Sequence, residues 1–378
     1  MKIAYITTDS PYDKNSWSGT NYYLRKALED QNHHIYCIYG YKKLSLSILI
    51  KKIWAKITNK HFQAIRTMAS SKGWARYIET RLLPNTDAIV CLSTIPVAFL
   101  KTDIPIYIYV DGIYEYMLQQ GFKNILNSHK IAHHIEQLAL NNCTKIITSS
   151  ENSAKAILQY YDINQSKIEI VPLGANFDKL PSSEFIQKNI EQKEMDKCRI
   201  LFIGVDWERK GANIVVDTAQ ILHNSGFPIE VHLVGLKELP IKIPSYIINH
   251  GFISKMGNDG IEKLNQLYLS SHFLFVPSIA EAYGIVFVEA SAYGVPVISH
   301  AVGGIPSIVK NEINGHLFKL GTTPDVFACY IKQLFNNKVA YKALAHKSHT
   351  RFLENLSWSS SGEKMRKIIR LSMNQTKK

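Results

Sequence analysis

Residues 277–306 read PSIAEAYGIVFVEASAYGVPVISHAVGGIP. They follow an apolar run, FLFVP (273–277), and pass through a short loop carrying Glu281 to a turn at Tyr283-Gly284. From Ile285 to Ala292 the residues are apolar or small apart from Glu289, the pattern of a buried helix, and a glycine turn then leads to a second β-branched run, PVIS (296–299). Strand, helix and strand in so short a span make a parallel-sheet unit. The two carboxylates, Glu281 on the loop and Glu289 in the helix, would lie on the order of 10 Å apart along the axis, too far to share a proton or a metal ion.

The same grammar extends in both directions. Toward the N-terminus, RILFIG (199–204) and IEVHLVG (229–235) complete one set of buried runs. An earlier set consists of KIAYIT (2–7), AIVCL (88–92), PIYIYV (105–110), KIITS (145–149) and IEIVPLG (168–174). Runs apolar on both faces and separated by helical patterns indicate parallel sheets covered on both sides. The expected fold class is α/β, two doubly wound Rossmann-like domains facing across a cleft. The predicted boundaries are 1–178 for the first domain, a polar linker at 179–197, and 198–357 for the second, with a C-terminal helix over 358–378 packing back on the first. Ligands of such sheets gather at the carboxyl ends of the strands.

The length of 378 residues suits two domains, and 46% hydrophobic with 20% charged residues describes a folded chain. Forty-four Lys and Arg against 31 Asp and Glu leave a net charge of +13, which implies a polyanionic partner. The five cysteines are scattered without a CxxC pair, so neither a zinc site nor a disulfide framework is indicated and a reducing compartment is expected. No uncharged apolar run approaches the roughly 18 residues of a membrane span. The expected location is cytoplasmic, with peripheral attachment to the inner face of the cell membrane.

Three strand-end loops carry chemistry. SWSGT (16–20) opens a helix, where Gly19 would let backbone approach a ligand or would serve an ordinary strand-to-helix turn. VDWERKGAN places Arg209 and Lys210 at a helix start, against the preference of the macrodipole, which a bound diphosphate would explain; a solvated surface Arg-Lys pair is the alternative. The loop at Glu281 leads to a helix N-terminus at Gly284-Ile285 suited to phosphate, with Glu281 reaching sugar hydroxyls and Glu289 accepting from ribose. Gly303-Gly304 again permits a close backbone approach. Together these features fit a nucleoside-diphosphate sugar.

The string E-AYGIVFV-E with ASAYGVPVI and VGGIPSIV resembles the signature of retaining glycosyltransferase family 4, among the glycosyl transferases group 1, and LFIGVDWERKG resembles its phosphate loop. SWSGTNYYLRKALE and KIITSSENSAKAILQYYDINQSKIEIVPLGAN extend the likeness over most of residues 1–320. The resemblance implies the GT-B fold, a nucleotide-sugar donor bound by the second domain, and no metal ion or resident cofactor. It implies Lys210 and Arg209 against the leaving diphosphate, Glu281 on the donor sugar and Glu289 on the ribose. Gly19 and the segment Tyr283, Gly284 and Ile285, with Gly303 and Gly304, would complete the donor site.

Two positions depart from the pattern. Val205 stands where many members carry arginine, so Arg209 and Lys210 must meet the diphosphate charge. Asp111 stands where many carry a histidine, and could bind an acceptor or sugar hydroxyl or cap a turn. The implied chemistry is front-face transfer with retention, the departing phosphate taking the acceptor's proton. A nucleotide- or sugar-binding protein without transfer, and a glycoside phosphorylase releasing sugar phosphate, are the alternatives.

Residues 41–81 hold ten basic residues and one acid, Glu79. LSLSILIKKIWAKI mixes apolar residues and lysines as an interfacial helix does, which suggests an anionic membrane surface and a glycan or lipid-linked acceptor in surface polysaccharide, lipopolysaccharide or glycolipid assembly. A basic helix with its apolar residues turned to the core would read the same. Nucleic acid is not expected, since no recognition motif accompanies the charge.

Overall fold

The computed structural model describes residues 1–42, 46–58, 60, 62–119 and 127–376. It divides into two compact units, Met1–Leu173 with Trp358–Lys378, and Gly174–Ser357.

The first unit is built on β1 (Lys2–Ile6), β2 (His34–Ile38), β3 (Ala88–Cys91), β4 (Ile106–Val110), β5 (Lys145–Thr148) and β6 (Ile168–Ile170). All pairings are parallel, in the order β2-β1-β3-β4-β5-β6. Ile3–Ile6, Ile89, Val90, Tyr107–Tyr109, Ile146 and Ile147 are fully buried, the burial on both faces that a helix-covered parallel sheet requires. The buried phenol of Tyr5 donates to the Asn21 carbonyl at 2.9 Å, joining β1 to the helix Thr20–Glu29.

The second unit repeats the plan with β7 (Cys198–Ile203), β8 (Ile229–Val234), β9 (Ile247–Asn249), β10 (Phe273–Phe275), β11 (Val297–His300) and β12 (Gly315–Phe318), ordered β12-β11-β10-β7-β8-β9 and again parallel. In each sheet the chain leaves a central strand toward one edge and returns on its other side. The switch points are thus β1/β3 and β7/β10, where neighbouring strand-end loops diverge and leave a crevice.

Three strands, β2, β9 and β12, have no counterpart among the apolar runs read from the sequence. Each forms an edge of its sheet, and His34, Ile248, His316 and Phe318 are incompletely buried. Edge strands need no continuous apolar run, so composition conceals them.

The expected linker at 179–197 is corrected. Ser183–Gln192 is a helix of the second unit, capped by Ser182 and burying Ile186 and Ile190 at i, i+4 beneath a Lys/Glu-rich outer face. Its polar composition reflects the exposed side alone.

The residues after this helix are pinned by His272. Its Nδ1 accepts from the Arg199 N–H at 2.9 Å and its Nε2 donates to the Glu194 carbonyl at 2.8 Å. Only a neutral imidazole can do both. Burial pushes its pKa from 6.5 down to about 3. The unfolded chain therefore takes up this proton first, and the stability contributed by neutral His272 is complete above pH 6.5 and lost as pH falls toward 3, at about 1.4 kcal/mol per unit. In urea melts from pH 7 to pH 4, the wild type should lose stability more steeply than His272→Gln; equal slopes would remove His272 as a cause.

The C-terminal helix Trp358–Thr376 belongs to the first unit. Trp358 stacks on Tyr23 with centroids 6.3 Å apart, and Ser372 Oγ lies 2.6 Å from the Tyr107 hydroxyl.

Candidate functional site

At the β7/β10 switch point the structure joins residues far apart in the chain. Lys210 Nζ donates to Glu281 Oε2, and Arg209 Nη1 lies 3.8 Å from the same oxygen. The side chains of Lys210 and Glu281 are only 11% and 12% exposed, so the pair sits largely out of water. Arg209 also donates from Nη1 to the Ala280 carbonyl at 3.2 Å, and its backbone N–H bonds Asp206 Oδ1 at 2.9 Å. The two cations at the start of the helix Ala212–Asn224 thus have carboxylates of the protein as partners. Glu281 and Asp206 supply part of the negative charge that two cations at a helix start require. Val205 is 67% exposed and adds no charge, so the cationic side of the loop rests on Arg209 and Lys210.

Backbone packing holds this arrangement. Gly211 has φ +72°, and a Cβ there would stand 2.3 Å from the Pro277 carbonyl oxygen, so the β7 loop lies directly against the end of β10. At Gly304 a Cβ would fall 2.2 Å from the Ala282 carbonyl oxygen, while its N–H bonds the Glu281 carbonyl at 3.2 Å. The Gly303-Gly304 turn is therefore fastened to the Glu281 loop, and the room vacated at Gly304 is filled by protein. Gly284 immediately precedes the helix Ile285–Ala292; Ile285 is half-buried, whereas Tyr283 is 3% exposed and packs inward.

Glu289 is 1% exposed, a depth that excludes an ordinary helix-surface role. One carboxylate oxygen is paired with Lys255 Nζ, and the other accepts from the Tyr268 hydroxyl at 3.1 Å. Burial and this carboxylate hold the Tyr268 phenol well above its ordinary pKa, so it remains a donor. Tyr268 stacks on Tyr293 at 4.9 Å with the rings 9° from parallel, and Lys255 lies 4.4 Å from the centre of the Phe177 ring. The two glutamates thus have separate partners.

Lys255 escaped the sequence reading. It lies beyond β9, the edge strand that composition concealed, and recognising that strand would have marked its loop as a strand-end loop where ligands gather.

Asp111 and Gly19 belong to the first unit, at its own switch point. Asp111 Oδ2 accepts from the indole N–H of Trp17 at 2.9 Å. Both line a cavity of 190 Å³ with Asp9, Asn21 and Arg66. Trp17 and Ser18 hold φ of 48° and 53°, left-handed conformations that cost about 1–3 kcal/mol each and concentrate at functional sites. At Gly19 a Cβ would meet the Tyr23 ring at 3.1 Å and the Lys14 carbonyl at 3.2 Å, so protein bounds the space beside it.

On the helix Leu46–Ile57, Ile48 and Ala55 are buried, while Leu49, Ile50, Ile53, Trp54 and Ile57 are 52–72% exposed. Their i, i+4 and i+8 spacing forms one outward apolar face, alongside exposed Lys51, Lys52 and Lys56. The reading in which these residues cover the first sheet is overturned for those five side chains. Lys43, part of the basic segment, lies outside the described residues. No helix among the described residues is long and apolar enough to cross a membrane, and no group of three or more His, Cys, Asp or Glu among them could hold a metal ion.

Comparison with known proteins finds a family match for the second unit. The glycosyl transferases group 1 profile matches residues 183–351, nearly the whole second unit. The D-inositol 3-phosphate glycosyltransferase of Mycobacteroides abscessus is 25% identical over 240 residues, covering 61% of this chain and 52% of the relative. Matches to the first curated relatives span only 52–64% of their length. Among solved structures, Anabaena HepE in complex with UDP-glucose superposes with a TM-score of 0.63 at 15% identity, covering 98% of this chain and 99% of the other. WaaG, a glycosyltransferase involved in lipopolysaccharide biosynthesis, does so with a TM-score of 0.62 at 15% identity, covering 97% and 99%. Residues 183–351, almost all of the second unit, thus match the glycosyl transferases group 1, and the two parallel six-stranded sheets share the GT-B fold of these solved structures.

Proposed function

We propose that this protein is a retaining glycosyltransferase moving a hexosyl unit from a nucleoside-diphosphate sugar to a glycan or lipid-linked acceptor, without a metal ion or resident cofactor. The observation that carries the reading is the buried Lys210–Glu281 pair with Arg209, set beside the start of the Ile285–Ala292 helix. When the donor's C1–O bond to phosphate breaks, negative charge grows on the diphosphate, and Lys210 and Arg209 stabilise it with little reorganisation. Glu281 orients Lys210 and accepts from the donor sugar, while Glu289 accepts from ribose hydroxyls once Lys255 yields it. The acceptor oxygen bonds to C1 on the face the phosphate leaves, and its proton passes to the departing phosphate oxygen. Asp111 serves the acceptor or sugar hydroxyls from the first unit, and Gly19, Gly284, Ile285 and Gly303 contribute backbone near the ligands.

The outward apolar face of the Leu46–Ile57 helix supports work at an anionic membrane surface, each nearby lysine contributing about 1 kcal/mol. Surface polysaccharide or glycolipid assembly fits that placement, as does the lipopolysaccharide role of WaaG. The bound UDP-glucose of HepE favours a UDP-sugar.

The test is nucleotide release from UDP-, GDP- and ADP-sugars, with and without a membrane lipid extract, in the wild type and Glu281→Ala. One donor should give release that rises with lipid and collapses in the variant. Nucleotide binding with silence across the panel would favour a binding protein, and sugar phosphate formed without nucleotide would favour a phosphorylase.

A further inference from the structure

Two cavities of the first unit share one cation. The 190 Å³ cavity at the β1/β3 switch point is polar, with Asp9 and Asp111 on its wall. A second cavity of 250 Å³, under the buried edge of the Leu46–Ile57 helix, is lined by Ile48, Phe62, Met68 and Ile131, with Lys51 at its wall. Arg66 lines both.

Arg66 is held firmly. Its Nη1 lies 3.3 Å from Glu136 Oε1, and its guanidinium sits 5.1 Å from the centre of the Tyr114 ring. Glu136, 1% exposed, also accepts from Thr94 at 2.9 Å and from the Tyr114 N–H and the Tyr161 hydroxyl, each at 2.7 Å. The Asn127 side chain clamps the loop, accepting from the Gln63 N–H at 2.8 Å and donating to the Gln63 and Arg66 carbonyls at 2.8 and 3.1 Å. A guanidinium carries five N–H donors, and one nitrogen is engaged by Glu136. The group is a fixed cation at the boundary between an apolar and a polar cavity.

We propose that the acceptor is an amphiphile joined to its lipid through phosphate. The first stretch of chain lies in the apolar cavity, the phosphate is met by Arg66 and Lys51, and the sugar to be extended lies in the polar cavity beside Asp9 and Asp111. Three features set side by side match the three parts of such a molecule. The outward face formed by Leu49, Ile50, Ile53, Trp54 and Ile57 belongs to the same helix as Ile48 and Lys51, so the remaining chain can stay in the bilayer while its head is presented. A phosphate fits because a planar, pre-oriented guanidinium binds its oxygens with charge-assisted bonds that a neutral glycoside cannot make.

This inference rests on the transfer reading only in calling the ligand an acceptor. The test is equilibrium binding of decyl phosphate, decyl maltoside and inorganic phosphate, all below micelle-forming concentration. Wild type would be compared with Arg66→Gln, Lys51→Gln and Ile131→Asp, with UDP-glucose titrated in parallel. Lys51 is exposed and Ile131 is 40% exposed, so those two variants remain informative if Arg66→Gln does not fold.

Decyl phosphate should bind about tenfold or more tighter than either other probe. Arg66→Gln and Lys51→Gln should reduce its affinity toward that of decyl maltoside, and Ile131→Asp should weaken both alkyl ligands while leaving UDP-glucose binding intact. Equal binding of decyl maltoside would overturn the phosphate assignment. Equal binding of inorganic phosphate would make this a free-phosphate site, and unchanged decyl phosphate binding in all three variants would reject the cavities. Decyl phosphate discrimination in a protein that binds no nucleotide sugar would leave the lipid-phosphate site standing and remove the transfer reading; nucleotide-sugar turnover without that discrimination would do the reverse.

Discussion

Lys210→Ala is expected to lower turnover by about 10²- to 10³-fold at saturating donor, measured as nucleotide release. Lys210 is 8% exposed, and Glu281 aims its ammonium group within the Glu281 loop. Charge developing on a leaving diphosphate there is screened little by water, so the interaction strengthens as the C1–O bond opens and acts on kcat. The variant leaves Glu281 with Arg209 at 3.8 Å, which moderates the loss of stability and keeps the kinetics interpretable. UDP-glucose should still bind it, since the ribose contact is proposed at Glu289 and not at Lys210. Equal kcat losses in Lys210→Ala and Glu289→Ala would show that the assignment of leaving-group charge to Lys210 is mistaken.

Glu289→Ala should act on binding, raising the donor KM about 10- to 100-fold while kcat at saturation changes much less. A hydrogen bond to a charged acceptor is worth about 1.5–3 kcal/mol, so the net loss of one ribose bond corresponds to this change in KM. The same substitution leaves the buried Tyr268 hydroxyl without the acceptor now 3.1 Å away and Lys255 without its charge partner. Since the Lys255 side chain is 35% exposed and can be hydrated, the stability loss is expected at about 2 kcal/mol, read from urea melts. Glu289→Gln should keep the Tyr268 bond and recover part of that stability without recovering the KM. If Gln restored both, Glu289 would be a framework residue and the ribose assignment would fall.

Much of the fold was legible because parallel strands buried on both faces must be apolar throughout. β1, β3, β4 and β5, and likewise β7, β8, β10 and β11, each announce themselves as short apolar runs. The starts of the helices at Ala212 and Ile285 follow from the glycines before them. What composition hid were half-exposed elements: the edge strands β2, β9 and β12, and the Ser183–Gln192 helix, whose two buried isoleucines are outnumbered by its polar surface.

At the site, the sequence by itself determined the family motif, the charged and glycine residues on the strand-end loops, and the amphipathic basic segment, because these depend on residue type and short spacing. Only the tertiary structure decided which charges meet. The β7/β10 switch point brings Lys210 to Glu281 across 71 positions, and the β9 loop brings Lys255 to Glu289 across 34. It also decided that the apolar face of the Leu46–Ile57 helix turns outward and that Arg66 borders two cavities. Strand order and the direction of a helix face are set by long-range packing, and no local pattern encodes them.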